Sequence, residues 1–303
     1  MERKARERIV CMVMAVINSL IAQGKLQRRG NGKLPAMISD TDGTVGKWQL
    51  LISLLTFVGE TFSERRPIIK PLEEAIQEYH QSRLLFGEVV KLALKILPDA
   101  IRGLHFEIVS HLAIEVAKRY RNRVYQFPKA VLDGLSVQPP ENRCLILSIT
   151  GAPQIIADPF CQALKFDLAI GCEYFVDGNG QFTGERDETP AIRKGEVLKV
   201  LAEDCGIDLD ESIYMGDTIA DLPGLLAVCI KYRWAINPKL ELQGAIRRNP
   251  GHNIVWVHDH HSTGVQFYRA FADGRLFEQE RKDFLPPDLV EALPMLPGEH
   301  LSL

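Results

Sequence analysis

An apolar run near residue 35 ends in two aspartates, Asp40 and Asp42, which are followed at once by Gly43 and Thr44. The run predicts a buried strand, and the glycine predicts a sharp turn after it. Because residues i and i+2 of an extended segment point to the same side, both carboxylates can converge at the strand's C-terminal end, where open α/β sheets bind ligands. Two convergent carboxylates attract a hard cation such as Mg²⁺, and one can serve as a nucleophile. A surface loop or an incidental Ca²⁺-like turn is the alternative.

A second apolar run, residues 143–149, ends in Thr150 and Gly151. Thr150 offers a hydroxyl, and the backbone N–H groups of the turn expected after it can hold an anion. A threonine at the end of a strand is also a common helix N-cap, so this pair alone does not predict a site.

Two later segments add a lysine and two more aspartates. Lys194 precedes an apolar stripe with helical spacing, which places it in the first turn of a predicted helix. A cation there opposes the helix dipole, so we expect a phosphate or another partner to hold it, unless it is a solvated surface lysine. Asp217 follows a further apolar strand, and Asp221 lies one turn into the next predicted helix. Asp217 can therefore join the first two aspartates around one metal ion.

In this order, the four segments resemble the motifs of the haloacid dehalogenase superfamily of phosphohydrolases. The matching residues are Asp40 and Asp42, then Thr150, then Lys194, and finally Asp217 with Asp221. Residues 150–160, 170–184 and 235–239 further resemble the phosphoserine-phosphatase-like branch, subfamily IB. Residues 170–184 also predict a β-hairpin with an Asn-Gly turn.

The chain departs from that branch at two places. Gln49 stands where phosphoserine phosphatases carry a glutamate that holds the substrate amine, and Thr150-Gly151-Ala152 stands in place of Ser-Gly-Gly. Phosphoserine itself is therefore not the expected substrate. Ser148 is the alternative to Thr150 as the hydroxyl of the second motif, but the spacing from Thr150 to residues 159–160 fits the family better.

The resemblance implies a Mg²⁺-dependent phosphomonoesterase that acts on a small phosphorylated metabolite. It implies that Asp40 attacks phosphorus to form an aspartyl-phosphate and that Asp42 serves as acid and base. Mg²⁺ would be held by the Asp40 carboxylate, the Asp42 backbone carbonyl and Asp217. The phosphoryl oxygens would contact Thr150, Gly151 and Lys194, and the layer around these groups would include Asp221 and Thr44. A phosphotransferase, a lipid-phosphate phosphatase at a membrane surface and a non-catalytic binding protein are the alternatives.

The pattern of apolar runs predicts an α/β core with an all-helical insertion. Apolar strands expected at 144–149, 167–170, 212–215 and 233–236 alternate with helical segments, which favours a Rossmann-like, mostly parallel sheet with helices on both faces. The core is expected to span 33–47 and 141–303. Residues 48–140 have helical periodicity, and prolines at 67, 71, 98 and 128 are expected to punctuate them. The resemblance implies that this insertion after the first core strand is a cap.

Composition is that of an ordinary globular protein, with 46% hydrophobic residues, 25% charged residues and a net charge of −3. A slightly negative chain has no general attraction for nucleic acid or anionic lipid. The six cysteines form no C-x-x-C pair, which favours buried thiols in a reducing compartment and a cytoplasmic location. Oligomeric state is not predicted.

The two ends of the chain are harder to interpret. Residues 1–32 predict a helix followed by a linker, and we expect the helix to pack on the body rather than anchor to a membrane surface or serve as a cleaved signal. Residues 251–303 form an uncertain C-terminal extension. It contains His252, His258, His260 and His261, of which His258 and His260 would share a strand face as exposed imidazoles or, as the alternative, a metal pair.

Overall fold

A single mixed sheet runs through the chain. The computed structural model describes residues 1–227, 230–260, 264–270, 275–294 and 296, so Cys229 and His261 lie outside the described residues. The strands are β1 (Leu34–Ser39), β2 (Leu145–Pro153), β3 (Leu168–Val176), β4 (Phe182–Asp187), β5 (Ile207–Gly216), β6 (Tyr232–Ile236), β7 (Val255–His260), β8 (Gly264–Ala270) and β9 (Leu276–Glu278). Their order in the sheet is β4-β3-β2-β1-β5-β6-β7-β8-β9.

The centre of the sheet is parallel and the edges are antiparallel. Strands β3, β2, β1, β5, β6 and β7 pair in parallel, whereas β4, β8 and β9 are joined by antiparallel pairing. Every residue of β1 is buried, as expected for a strand covered on both faces. Met37 packs into one apolar cluster, and its neighbours Ala36 and Ile38 pack into the other. The predicted α/β class with a mostly parallel sheet is confirmed.

Helices cover both faces of this sheet. They are α1 (Arg3–Ala22), α2 (Leu50–Thr61), α3 (Arg66–His80), α4 (Phe86–Ile101), α5 (Phe106–Tyr120), α6 (Gln126–Ser136), α7 (Gln154–Ala163), α8 (Thr189–Ile192), α9 (Lys194–Glu203), α10 (Leu222–Leu226), α11 (Leu240–Arg247) and α12 (Pro287–Ala292). Short 3₁₀ turns occur at Ser63–Arg65, Ile219–Asp221, Pro250–His252 and Arg281–Asp283. Helices α2 to α6 all fall between β1 and β2, so the insertion is helical.

Prolines do not separate the inserted helices as the sequence led us to expect. Pro71 and Pro98 lie inside α3 and α4, and Pro128 lies in the first turn of α6. Pro67 and Pro128 therefore stand in the first turns of their helices, where a missing N–H is no loss. Burial of apolar side chains on both sides of Pro98 offsets the hydrogen bond that an interior proline removes.

Among the described residues, backbone hydrogen bonds join the insertion to the core at two places. Next to β1, Lys47 N–H donates to the Arg123 carbonyl at 2.8 Å and Tyr125 N–H donates to the Val45 carbonyl at 2.9 Å. Farther away, the α4–α5 linker pairs with the β3–β4 hairpin: Gly103 N–H donates to the Phe182 carbonyl at 2.8 Å. We call this second place, residues 102–106 against 180–184, the hairpin contact.

Helix α1 packs on the body of the protein. Ile9, Val13 and Ile17 are fully buried on one face of it, and they join the cluster that contains α9. Arg6 adds an ion pair with Asp204 at 2.7 Å. Within the described part of the chain, no helix combines the length and the apolar character that crossing a bilayer requires.

Candidate active site

The carboxylates after β1 and β5 meet at one edge of the sheet. These strands are parallel neighbours with Ser39 opposite Met215, and Asp40 N–H donates to the Met215 carbonyl at 3.0 Å. Asp40 and Asp217 therefore follow adjacent strand ends. Together with Asp221 they form a cluster in which one carboxylate oxygen from each lies within 4.8 Å of the others, and all three residues are buried.

A buried ammonium group lies inside this cluster. Lys194 is the first residue of α9, and its Nζ lies 3.0 Å from Asp40 Oδ1 and donates to Asp221 Oδ1 at 2.6 Å. Burial alone would lower the pKa of this lysine, but the carboxylates of Asp221 and Asp40 outweigh burial and raise its pKa well above the ordinary value. Lys194 therefore stays charged, and two aspartates are the partners that the sequence required for it.

Both carboxylate oxygens of Asp221 are already occupied by hydrogen bonds. Its Oδ1 accepts from Lys194 and from the Tyr214 hydroxyl at 3.1 Å. Its Oδ2 accepts from the Asp217 N–H at 3.2 Å and from the N–H and hydroxyl of Thr218 at 3.1 and 3.0 Å. A carboxylate with five hydrogen bonds is fixed in place, so it is suited to hold Lys194 and the loop around Asp217.

Asp217, in contrast, has one oxygen to spare. Thr44 donates its hydroxyl to Asp217 Oδ1 at 2.9 Å. Oδ2 is buried and has no hydrogen-bond partner among the described residues, and Lys239 Nζ lies 4.0 Å from it. Burial, Asp40 and Asp221 hold the pKa of Asp217 well above its usual range. Gly43, at φ +84°, allows this approach, because a Cβ there would lie 2.3 Å from Asp217 Oδ2.

Asp42 lies beside the cluster and is half-buried. Its Oδ1 accepts the N–H of Leu50 at 3.1 Å, at the start of α2. Burial and the nearby Asp40 raise the pKa of Asp42 to about 8, whereas burial, opposed by Lys194, raises the pKa of Asp40 to about 6. Near neutral pH, these shifts favour a protonated Asp42 beside an ionised Asp40.

The second motif differs in shape from the sequence prediction. We expected the strand to end at Thr150 and a turn to follow, but β2 continues to Pro153 with a register shift between Ile149 and Pro153. Thr150 is buried, and its hydroxyl accepts the Ala152 N–H at 3.1 Å. Ser148 lies within 2.7 Å of the Thr41 hydroxyl, so that alternative hydroxyl already has a partner. The half-buried Gly151 lies against Ala191.

The residues present fit a divalent cation. Three buried carboxylates face one buried ammonium, and Asp217 Oδ2 accepts no hydrogen bond from any of the described residues, which leaves it open to a cation. Hard oxygen donors of this kind are the ligands that Mg²⁺ takes in proteins. A buried carboxylate oxygen without a partner costs free energy, so a bound cation would relieve that cost.

Two polar groups at the site had no role assigned from the sequence. Tyr214 hydrogen-bonds Asp221 from within an apolar strand, where a lone tyrosine was the only signal for it. Asn237 lies next to the Asp217 loop at φ +41°, within the segment 235–239 that carries part of the family resemblance.

The fold is an α/β core with an acidic cluster at the carboxyl ends of two adjacent parallel strands. The family model described as haloacid dehalogenase-like hydrolase matches residues 37–226, well over half of the chain. The chain therefore belongs to the haloacid dehalogenase-like hydrolase family, as its four motifs predicted. No curated protein matches the sequence significantly.

Several solved structures are similar to this chain. A protein of unknown function from Bordetella pertussis Tohama I has a TM-score of 0.52 at 18% identity, and the match covers 73% of this chain and 98% of the other. A HAD family hydrolase from Salmonella enterica serovar Typhi has a TM-score of 0.49 at 16% identity, covering 80% and 75%. A phosphoserine phosphatase with a phospho-aspartyl intermediate analogue has a TM-score of 0.47 at 17% identity, covering 70% and 90%. At such identities, the Bordetella structure supports a shared fold and nothing finer.

Proposed function

We propose that this hydrolase is a Mg²⁺-dependent phosphomonoesterase of the phosphoserine-phosphatase-like branch. The observation that carries the proposal is the buried arrangement of Asp40, Lys194 and Asp217, in which a potential nucleophile lies 3.0 Å from a lysine and close to a carboxylate oxygen with no partner. Such a set binds a phosphoryl group and its cation and presents an oxygen to phosphorus.

Asp40 is the proposed nucleophile. A carboxylate oxygen of Asp40 attacks phosphorus in line, and an aspartyl-phosphate forms as the bond from phosphorus to the ester oxygen breaks. Asp42 donates its proton to the departing alkoxide, so the alcohol leaves neutral. In the second half, Asp42 takes a proton from water while the water oxygen bonds to phosphorus. The bond from phosphorus to the Asp40 oxygen breaks, which releases phosphate and restores the Asp40 carboxylate.

The cation would be held by the Asp40 carboxylate, the Asp42 backbone carbonyl and Asp217. When bound, Mg²⁺ supplies a Lewis acid that neutralises phosphoryl charge and the repulsion among these carboxylates. Asp221 keeps Lys194 in place, and Thr44 orients Asp217 through the hydrogen bond at 2.9 Å.

The phosphoryl oxygens are proposed to bind Lys194, the hydroxyl of Thr150 and the backbone at Gly151. Charge builds on these oxygens in the transition state, so fixed donors there lower the barrier. Burial of Lys194 and Thr150 strengthens such interactions, because little water competes with them.

Residues 48–140 are proposed to act as the cap, with 33–47 and 141–303 as the core and 1–32 as an appended helix and linker. The N–H of Leu50, at the start of α2, donates to the Asp42 carboxylate, so the insertion begins in direct contact with the proposed general acid. A cap at this position excludes water and selects the leaving group.

The proposed substrate is a small phosphorylated metabolite other than phosphoserine, since Gln49 cannot supply the anion that an amine requires. A cytoplasmic location is part of the proposal. It is supported by the free thiols, of which Cys144, Cys161, Cys172 and Cys205 are buried.

Replacing the nucleophile tests this proposal. We expect Asp40→Asn to lower the turnover of a generic phosphoester, in excess Mg²⁺, by at least about 10³-fold. Asp208→Asn is the matched control. Asp208 is a buried aspartate of β5, but it lies at the opposite end of the strands, where it accepts a hydrogen bond from Asn31. Near-wild-type hydrolysis by Asp40→Asn would show that Asp40 is not the nucleophile. A product other than free phosphate in the presence of an added alcohol would favour a phosphotransferase.

A further inference from the structure

A part of the chain beyond the family-matched segment reaches the candidate metal site. The match ends at residue 226, yet β6 and β7 extend the parallel sheet and end at the same edge as β5. The register places Gly216 opposite Ala235, and Ile236 opposite Val257. The residues that follow these pairs are Asp217 after β5, Asn237 after β6 and, two positions along β7, Asp259.

Asn237 is held by β7. Its Oδ1 accepts the Asp259 N–H at 2.9 Å, its Nδ2 donates to the Asp259 carbonyl at 3.1 Å, and its own N–H donates to the Val257 carbonyl at 2.8 Å. Asn237 has a left-handed backbone, with φ at +41°. Non-glycine residues keep such a conformation only when the surroundings hold them there, which these three hydrogen bonds do.

The loop that begins at Asn237 returns to the metal site. Lys239 N–H donates to the Asp217 carbonyl at 2.9 Å, and its ammonium lies 4.0 Å from Asp217 Oδ2. The position of the Asp217 backbone thus depends on residues 237–239, and Asn237 is held by the main chain of β7 at Val257 and Asp259.

The side chain of Asp259 fixes the third element at this point. It is fully buried, and its Oδ2 accepts the N–H of Phe127 at 2.7 Å, in the first turn of α6. Just before that helix, Tyr125 N–H donates to the Val45 carbonyl at 2.9 Å, in the loop that follows Asp40 and Asp42. The carboxylate of Asp259 therefore holds the start of α6 beside the loop that carries Asp40, Asp42 and Gly43.

We infer that Asp259 is a positioning residue for the cation site. Its main chain holds Asn237 and the 237–239 loop beside Asp217, and its carboxylate holds the start of α6, next to Tyr125, whose N–H donates to Val45 in the loop after Asp40 and Asp42. The inference rests on the proposed function, because it concerns the cation that Asp217 would bind. Outer groups that orient metal ligands commonly change metal affinity when they are removed. Asp259 touches neither substrate nor cation, so its effect should appear in Mg²⁺ affinity before it appears in the chemical step.

The test is calorimetric titration of the full chain with Mg²⁺ in the absence of substrate. We expect Asp259→Ala to weaken Mg²⁺ binding by about 10-fold or more. Asn237→Gly, which tolerates the left-handed backbone but lacks the side chain, should weaken binding in the same direction. Asp259→Asn keeps an oxygen that can accept from Phe127 N–H, and should retain most of the affinity.

Asp167→Ala is the matched control. Asp167 has a side chain only 8% exposed and accepts a backbone N–H from Ile146 at 2.9 Å, but it lies at the opposite end of the sheet. We expect that variant to lower the melting temperature and leave the Mg²⁺ dissociation constant unchanged. Excess Mg²⁺ should restore hydrolysis of para-nitrophenyl phosphate to Asp259→Ala but not to Asp217→Ala.

Two outcomes would overturn the inference, and they differ. Wild-type Mg²⁺ affinity in both Asp259→Ala and Asn237→Gly would overturn the inference alone. A wild-type protein that binds no Mg²⁺ and hydrolyses phosphoesters without it would overturn the metal dependence in the proposed function, and the inference with it. If Asp259→Ala does not fold, the folded Asn237→Gly and Asp259→Asn variants still decide between these results.

Discussion

The acidic edge of the sheet and the hairpin contact differ in how their parts come together. At the edge, Asp40 and Asp217 each follow a strand directly, and the strands are parallel neighbours. At the hairpin contact, a linker between two inserted helices pairs with a hairpin about 80 residues farther along the chain, as Arg102 does with Thr183. The positions of the groups at the acidic edge follow from the ends of two adjacent strands. Those at the hairpin contact follow from tertiary pairing between distant segments.

This difference has consequences for rigidity. The site groups are buried and hydrogen-bonded to one another, as the five bonds of Asp221 show. The hairpin contact lies partly at the surface: Arg102 is 57% exposed and Phe106 is 45% exposed, whereas Leu104 and Phe182 are buried. Exposed backbone hydrogen bonds with few buried apolar contacts open at lower free energy than a buried core. Movement of the insertion is therefore expected to begin at the hairpin contact and not at the site.

The largest effect on Mg²⁺ affinity should come from placing a methyl group at Gly43, against the Asp217 carboxylate. Gly43→Ala places a Cβ 2.3 Å from Asp217 Oδ2 and strains a backbone at φ +84°. We expect Mg²⁺ affinity to fall by about 10- to 100-fold and phosphatase activity to fall with it. The measurement is Mg²⁺ titration of activity, together with calorimetry on the protein without substrate.

Gly103→Ala separates backbone strain from the clash in that experiment. Gly103 has nearly the same φ, +75°, but a Cβ there meets nothing within 4 Å. It should lose about 1 kcal/mol of stability and keep wild-type Mg²⁺ affinity. Equal losses of affinity in the two variants would show that the site depends on general stability and would remove the distinction between the two regions.

Much of the acidic edge of the sheet could be predicted from local sequence. Alternation along a strand places Asp40 and Asp42 at one end, and parallel pairing of apolar strands brings Asp217 to the same end. The position of Lys194 at a helix start correctly indicated a partner, which is the Asp40 and Asp221 pair. These inferences needed only short segments and the rule that parallel strands share an edge.

The remaining features depend on pairing that no single segment reveals. The continuation of β2 past Thr150 follows from its pairing with β3, in which Pro153 lies opposite Cys172. The contact of Asp259 with Phe127 joins residues 132 positions apart. Pro71 and Pro98 lie inside helices, because burial in the insertion outweighs the local tendency of proline to end a helix.

A smaller effect should appear in the pH dependence of stability without metal. The folded protein raises the pKa of Asp40 to about 6 and of Asp42 to about 8, and it raises the pKa of Asp217 also. Between about pH 4 and pH 8 the folded state therefore binds more protons than the unfolded chain, so the free energy of unfolding should fall as pH rises. Melting temperatures in EDTA at several pH values measure this slope.

Two comparisons test whether the fall in melting temperature with pH comes from the carboxylates at the acidic edge of the sheet. Asp42→Asn removes one of the raised groups, so the fall in melting temperature towards pH 8 should be shallower. Saturating Mg²⁺ favours the ionised carboxylates and should flatten the slope in the wild type. A melting temperature that rises from pH 6 to pH 8 in EDTA would contradict the proposed burial of these carboxylates.

The smallest effect is expected at the hairpin contact. Arg102 donates to the Thr183 carbonyl at 2.5 Å and to Asp99 at 3.0 Å, and both bonds are exposed. Arg102→Ala should cost about 0.5–1 kcal/mol in urea unfolding. It should also speed hydrogen exchange at the amides of Gly103, Phe106 and Phe182, which pair across the contact.

Lys118→Ala is the control for that variant, since Lys118 is an exposed cation of the insertion paired only locally, with Glu115 at 2.8 Å. It should leave exchange at the three amides unchanged. Because the site groups share no hydrogen bond with the hairpin contact, Arg102→Ala should also leave Mg²⁺ affinity unchanged. Faster exchange without a change in affinity would show that the insertion can loosen while the acidic edge stays formed. A parallel loss of affinity would mean instead that the hairpin contact supports the site, and the two regions would have to be treated as one.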